Sequence, residues 1–212
     1  MTHPAVRAVE RGLTLRHFAA YLPREDGPAP PALDLGRARD RRALVAWLRA
    51  WGCRHLRVAD DAVSERALAR WARTWAFRLP TRTLVDLDAR DREAIAAAFD
   101  ALSGSPAAFS ERGGGLTTVT FGATASAKAL YALRPRGFPP WDAPIRRGLG
   151  LDGTGRGYAE YLRVTAGLVR TLAERAGIEP DALPVAVGRP SATAARLIDE
   201  YLWRRITRGT SP

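Results

Sequence analysis

Apolar side chains recur along most of this chain at spacings of three and four residues, and proline and glycine interrupt the pattern at short intervals. In residues 39–52, for example, Leu44, Leu48 and Trp51 share one face of a helix. The same periodicity predicts further helices over residues 12–22, 62–77, 89–102, 124–133, 143–149, 157–177 and 190–207. A chain of this kind buries its apolar stripes by packing helix against helix, so the sequence predicts a mainly α fold.

The segments between these helices carry little strand signal. Residues 24–36, 134–140 and 150–157 are rich in proline or glycine and predict irregular connections. Residues 116–121, Leu-Thr-Thr-Val-Thr-Phe, have strand propensity, but a short apolar run fits strand or helix, and residues 111–115 predict a flexible turn before it. Residues 56–58 fit a short strand or a simple connector. Walker and dinucleotide-binding glycine motifs do not occur. We therefore expect little or no sheet.

Composition restricts the function. The 212 residues carry a formal net charge of +11, which favours a polyanionic partner such as nucleic acid, although compositional drift alone also produces arginine-rich surfaces.

Cys53 is the single cysteine, and the three histidines lack the spacing of metal ligands, so we expect no disulfide, metal or cofactor. Neither a signal peptide nor an apolar run of membrane-spanning length occurs, and we expect a soluble cytoplasmic protein.

Lys128 is the only lysine among 33 basic residues. Arginine replaces lysine in most roles but cannot act as an amine nucleophile. One interpretation is that this position needs an amine. The other is that compositional drift, which has also removed every Asn and Gln, left one solvated lysine behind.

Residues 121–150 contain the features with the clearest chemical meaning. Gly122 precedes the start of a predicted helix, where free backbone N–H groups can hold a phosphate. A Pro/Gly-rich loop then leads to Trp141 and Asp142. A partly desolvated aspartate can stabilise positive charge on a reacting sugar, whereas an aspartate at this position can also simply cap helix 143–149, and one residue can do both. Trp141 can line a pocket.

The other tryptophans are more typical of a hydrophobic core than of a base-stacking platform. Trp47, Trp51, Trp71 and Trp75 fall at i, i+4 spacing on two predicted helices, and we expect them, with Trp203, to be buried.

This segment resembles the helix-hairpin-helix Gly/Pro…Asp superfamily of DNA glycosylases. Gly122 corresponds to the hairpin, Thr124 to the opening of the next helix, and residues 138–142, Phe-Pro-Pro-Trp-Asp, to the loop and its aspartate. More narrowly, the chain is similar to bacterial proteins with an 8-oxoguanine DNA glycosylase fold. The shared features are Ser-x-Lys, Pro-Trp-Asp and a C-terminal helix with a sequence like that of residues 197–203, Leu-Ile-Asp-Glu-Tyr-Leu-Trp.

Two positions depart from the family pattern. The family hairpin has the form Gly-x-Gly, and this chain has Gly122 alone. The lysine of strand-cleaving members lies at the hairpin, where this chain has Ala123 and Thr124, while Lys128 lies one helical turn further on.

The resemblance implies a two-lobed helical fold with a degenerate helix-hairpin-helix, formed by one globular unit with an N-terminal lobe over residues 1–110 and a second lobe over residues 111–212. It implies a monomeric, nucleoid-associated enzyme that removes a damaged or modified base, such as oxidised guanine, from double-stranded DNA. Asp142 would stabilise the oxocarbenium-like sugar, and Lys128 would form a Schiff base that allows strand cleavage. The implied phosphate contacts are Gly122, Thr124, Ser126, Arg134, Arg136 and Arg146, and the implied base pocket is Trp141, Phe138 and Tyr131.

Two alternatives remain open on the sequence. The chain can be a catalytically silent helix-hairpin-helix DNA-binding module in defence or regulation, which the single-glycine hairpin favours. It can also act on a free nucleoside or another small metabolite. Because the chain has no Asn or Gln, a flipped base would be read by arginines, acids, hydroxyls or backbone groups.

Overall fold

A computed structural model describes residues 12–22, 29–58, 60–112 and 115–207. Within these ranges the chain forms nine α-helices and one two-stranded sheet, so the predicted mainly α class is confirmed. The helices are α1 Leu15–Ala20, α2 Ala38–Ala50, α3 Asp61–Trp75, α4 Ala89–Ser103, α5 Gly122–Leu133, α6 Ala143–Gly148, α7 Gly155–Ala176, α8 Leu183–Ala186 and α9 Ala194–Thr207. The strands are β1 Pro106–Arg112 and β2 Gly115–Thr120.

Side-chain caps fix the starts of several helices. The Asp60 carboxylate accepts hydrogen bonds from the backbone N–H groups of Ala62 and Val63, as the sequence predicts for the start of α3. Asp88 and Asp91 form a reciprocal capping box at the start of α4. Residues 54–58 form a 3₁₀ helix, so the strand considered for residues 56–58 is wrong. Residues 23–28, which include part of the predicted linker 24–36, lie outside the described residues.

The sheet is an antiparallel hairpin between α4 and α5, with Phe109 opposite Thr118 and Ala108 opposite Val119. The β-branched run Thr117–Thr120 therefore forms a strand, which settles the ambiguity of residues 116–121. Its partner β1 was not predicted, because the composition of Pro106–Arg112 is not typical of a strand. Of the predicted turn over residues 111–115, residues 113 and 114 lie outside the described part of the chain.

Helix α5 begins at Gly122, directly after β2. Gly122 has a φ of +66°, a left-handed conformation that glycine adopts without strain, and this lets the chain turn from the strand into the helix. A strand rather than a helix thus precedes Gly122. The connection differs from the short glycine turn between two helices that the resemblance implies.

The buried apolar side chains form one connected core that extends from Leu13 to Leu202. Its central element is α7, which packs against α4 and α9. Gly155 makes the closest part of the α4 contact possible, because a Cβ atom at this position would lie 2.1 Å from the carbonyl oxygen of Ala96. In the described part of the chain, no helix combines the length and the apolar character needed to cross a bilayer.

Candidate functional site

The Pro-rich loop before α6 is attached to the core by two tyrosines one helical turn apart on α7. The Tyr158 hydroxyl donates a hydrogen bond of 2.9 Å to the carbonyl oxygen of Pro139, and the Tyr161 hydroxyl donates one of 3.0 Å to that of Pro140. Burial raises the pKa of both tyrosines well above the ordinary value, so both remain neutral donors. These two hydrogen bonds to α7 therefore hold the next two residues, Trp141 and Asp142, in place.

Asp142 caps α6, as one of the two sequence interpretations predicted. Its Oδ1 atom accepts a hydrogen bond of 3.3 Å from the backbone N–H of Ile145. The side chain is only half-buried and also lines a cavity. The cap holds one carboxylate oxygen near the backbone and so orients the group.

Lys128 reaches the same cavity from the second turn of α5. Its Nζ atom donates a hydrogen bond of 2.6 Å to the carbonyl oxygen of Trp51, the C-terminal residue that caps α2. The same atom lies 4.6 Å from the centre of the Trp51 ring. Both contacts orient the amine, and a neutral amine can donate the same hydrogen bond.

The cavity has a volume of about 250 Å³ and is formed by segments that are far apart in the sequence. Its lining combines aromatic rings, cations and carboxyl groups, contributed by Trp51, Lys128, Pro140, Trp141, Asp142, Arg196, Asp199, Glu200, Trp203 and Arg204. Pockets for drug-sized ligands span roughly 300–1,000 Å³. This cavity is therefore of a size for one small aromatic group.

Helix α9 supplies half of the lining, including two neighbouring carboxyl groups with different partners. Glu200 forms ion pairs with Arg189 and, at 2.6 Å, with Nε of Arg196. Among the described residues, the ion pair of Asp199 is a contact of 3.5 Å with Nη1 of Arg196. The Arg196 guanidinium also lies 4.7 Å from the centre of the Trp51 ring, so this ring contacts the cations of both α5 and α9.

Burial raises the pKa of Asp199 to about 8. The negative charges of Asp142 and Glu200 raise this pKa as well, while the positive charges of Arg196 and Lys128 oppose the shift. Near neutral pH the cavity thus contains a protonated carboxyl group on α9.

Three residues of the implied site lie inside the protein and away from the cavity wall. Phe138 and Ser126 have no exposed surface, and the Ser126 Oγ atom has no hydrogen-bond partner among the described residues. Tyr131 is also buried, with its ring 5.6 Å from that of Trp51. Ser126 therefore does not fit a phosphate contact. Neither Phe138 nor Tyr131 lines the cavity, although Tyr131 contacts it through the Trp51 ring.

The arginines implied to contact phosphate are spread over the molecule. Arg146 packs on the buried Trp141 ring at 5.6 Å, and burial lowers its pKa. Arg134 donates a hydrogen bond of 2.8 Å to the carbonyl oxygen of Leu133. Arg136 is exposed and pairs with Asp181 at 2.7 Å, beside a different surface cavity. Gly122 and Thr124 are half-buried at the start of α5 and do not line the cavity of Lys128 and Asp142.

Two of the tryptophans expected in the core belong to the cavity. Trp71 is buried as predicted, and Trp47 and Trp75 pack against the core from partly buried positions. Trp203, in contrast, is 40% exposed, and it and the half-buried Trp51 line the cavity. The expectation that Trp203 is buried is wrong, because it lies on the cavity side of α9 rather than on the side facing α7. One sequence signal could have indicated this part of the cavity. It is the resemblance of residues 197–203 to the C-terminal helix of the glycosylase-fold proteins, a segment that also contains Asp199 and Glu200.

Among the described residues, no group of three side chains of the metal-binding types lies close enough together to hold a metal ion. Comparison of the chain with protein-family models, with curated proteins and with solved structures found no match.

Proposed function

We propose that this protein is a DNA base-excision glycosylase that breaks the N-glycosidic bond of a flipped-out base, with a strand-cleaving lyase activity that depends on Lys128. The observation that carries the proposal is that one cavity holds both Lys128 and Asp142. These are the two residues singled out from the sequence for their chemistry, and they come from separate helices.

The lining of the cavity suits a base. Trp51 and Trp203 provide aromatic surface on which a planar base can pack, and the buried Trp141 forms part of the wall behind it. Arg196 and Arg204 provide hydrogen-bond donors, and the acids provide acceptors, in a chain without Asn or Gln. The net charge of +11 favours association with the phosphate backbone, so double-stranded DNA is the proposed partner. The two-lobed glycosylase-like fold belongs to the same proposal.

The mechanism assigns a role to each of the two residues. Asp142, as a carboxylate, stabilises the positive charge that develops on the sugar while the bond to the base breaks. Its cap contact with the N–H of Ile145 keeps it oriented during this step. The Lys128 amine, after losing a proton, attacks the sugar C1′ atom. The C1′–O4′ bond then opens to give a Schiff base, which allows strand cleavage. The contact with the Trp51 carbonyl group positions the amine.

The test is borohydride trapping of the protein on duplexes that contain an abasic site or 8-oxoguanine. Wild-type protein should give a covalent adduct on both. Lys128→Arg keeps the positive charge but cannot form a Schiff base, so it should give none. An equally strong adduct with Lys128→Arg would exclude Lys128 as the amine.

Asp142→Asn tests the second residue without removing the helix cap, because Asn caps helices as well as Asp does. This variant should lose base release by about 10²-fold or more and keep DNA binding, as is typical when a group that stabilises developing charge is removed. Asp60→Asn, at the cap of α3 and outside the cavity, is the matched control and should release base like the wild type.

The alternatives give different results in the same assays. Wild-type protein that binds DNA but releases no base from a panel of damaged duplexes would indicate a silent DNA-binding module. Absence of salt-sensitive DNA binding would indicate an enzyme for free nucleosides.

A further inference from the structure

Asp199 is a buried carboxyl group on the cavity wall, and its one ion pair among the described residues is a contact of 3.5 Å with Arg196. Only 9% of the residue is exposed. Its neighbour Glu200 forms ion pairs with the guanidinium groups of Arg189 and Arg196. Asp199 contacts Arg196 at the longer distance of 3.5 Å. Asp199 accepts no hydrogen bond from any residue in the part of the chain that the structure describes.

Charged and titratable groups surround Asp199 from four helices. They are Lys128 and Tyr131 on α5, Asp142 at the start of α6, Tyr158 and Tyr161 on α7, and Arg196 and Glu200 on α9. Desolvation is the largest influence on Asp199 and raises its pKa to about 8. Asp199 therefore carries a proton near neutral pH.

We propose that Asp199 is a second catalytic residue of this cavity, a general acid that protonates the departing base while Asp142 acts on the sugar. This inference rests on the proposed glycosylase function. Two carboxyl groups in one site, one protonated and one ionised, can divide the acid and base roles between them. Glu200 is not suited to the acid role, because both of its carboxyl oxygens already contact guanidinium groups, those of Arg189 and Arg196.

Base release and proton transfer take place together. The bond between C1′ and the base nitrogen breaks, and its electron pair goes to the base. The O–H bond of Asp199 breaks, its proton bonds to the base, and Asp199 becomes a carboxylate. The lone pair of Lys128 Nζ forms a bond to C1′, and the proton that the nitrogen loses passes to the Asp142 carboxylate. If water attacks instead, its proton goes to Asp142 in the same way.

The main experiment measures single-turnover release of 8-oxoguanine from a duplex between pH 5.5 and 9.5. For wild-type protein the rate should fall as the pH rises through about 8, the pKa of Asp199. Asp199→Asn should lower the rate by about 10²-fold or more and remove this fall. Asn has nearly the shape and the neutrality of the protonated carboxyl group, so the variant should fold.

Glu200→Gln tests the same role through the pH at which the rate falls. This pH would not change if Asp199 had only a structural role. Without the Glu200 charge, Arg196 can turn to Asp199 and lower its pKa, so the fall in rate should move to lower pH. An Asp199→Asn variant that keeps both the wild-type rate and the wild-type pH dependence would overturn the proposal, as would a fall in rate that does not move in Glu200→Gln.

An abasic duplex separates this inference from the proposed function, because no base has to leave. Asp199→Asn should still form the borohydride-trapped adduct on it, whereas Lys128→Arg should not. If wild-type protein neither releases a base nor forms an adduct, the proposed function fails and this inference with it. If wild-type protein does both and Asp199→Asn releases base normally, only the role of Asp199 is overturned.

Discussion

Asp199→Asn should stabilise this protein, and the gain should grow with pH. The folded chain raises the pKa of Asp199 from its ordinary 3.8 to about 8, because the buried site disfavours the charge. The unfolded chain, in water, keeps the ordinary value. Between these two pKa values the folded state binds a proton that the unfolded state has released, so the free energy of unfolding falls as the pH rises through this window. Asparagine does not titrate and avoids this loss.

The size of the effect follows from the two pKa values. At pH 7 the unfolded chain has ionised Asp199 about three pH units above its ordinary pKa of 3.8, while the folded chain still holds the proton. At about 1.4 kcal/mol per unit, wild-type protein loses on the order of 4 kcal/mol of unfolding free energy at this site. Near pH 4 the loss is close to zero, and above about pH 8 it no longer grows.

Urea denaturation of both proteins at pH 4.5, 6 and 7.5 measures this difference. The stability of Asp199→Asn relative to wild type should rise at each step by about 1–2 kcal/mol. Asp181→Asn is the matched control, because Asp181 is an exposed carboxylate in a surface ion pair, and its replacement should change stability by less than about 1 kcal/mol. A difference between Asp199→Asn and wild type that stays constant with pH would refute the reasoning, because it would mean that Asp199 titrates alike in both states.

Three further predictions concern packing and charge. Gly155→Ala should lower the free energy of unfolding by about 1–3 kcal/mol or more, measured by urea denaturation, because its Cβ would lie 2.1 Å from the carbonyl oxygen of Ala96. Tyr161→Phe should lower the free energy of unfolding by about 1–3 kcal/mol and slow base release, because it leaves the buried Pro140 carbonyl group without a donor. Unchanged stability and rate would show that other contacts hold the loop. The logarithm of the affinity for undamaged duplex DNA should fall linearly with the logarithm of the salt concentration, and a flat dependence would count against a role for the net charge of +11 in binding.

The helices could be predicted because their signal is local. The spacing of Leu44, Leu48 and Trp51, or the cap at Asp60, acts within one or two turns of the chain, and these helices form close to where the sequence indicates. Strand β1 could not be predicted in the same way. Its residues are ordinary in composition, and it becomes a strand because β2 offers a hydrogen-bonding partner.

The candidate site shows the same division. Lys128 and Asp142 could be selected because few residues can serve as an amine or a placed carboxylate, and they line one cavity. The contributions of Trp51, Trp203 and Asp199 depend on how α2 and α9 lie against the Pro-rich loop. A periodicity marks which face of a helix is apolar, but it does not show where that face borders a cavity.

The cavity wall joins the end of α2 near residue 51 to residues 196–204 of α9, through α5 and the loop before α6. The packing of α2, α5, α9 and the loop before α6 must therefore be in place before the cavity exists, and a partly folded intermediate that lacks α2 or α9 cannot bind a ligand in it. A ligand that occupies the cavity should accordingly raise the melting temperature of the entire chain in a single transition, by mass action on the complete fold. Ligand binding thus indicates that these elements are folded together. A truncation that removes only α9 should abolish ligand binding and the ligand-dependent rise in melting temperature.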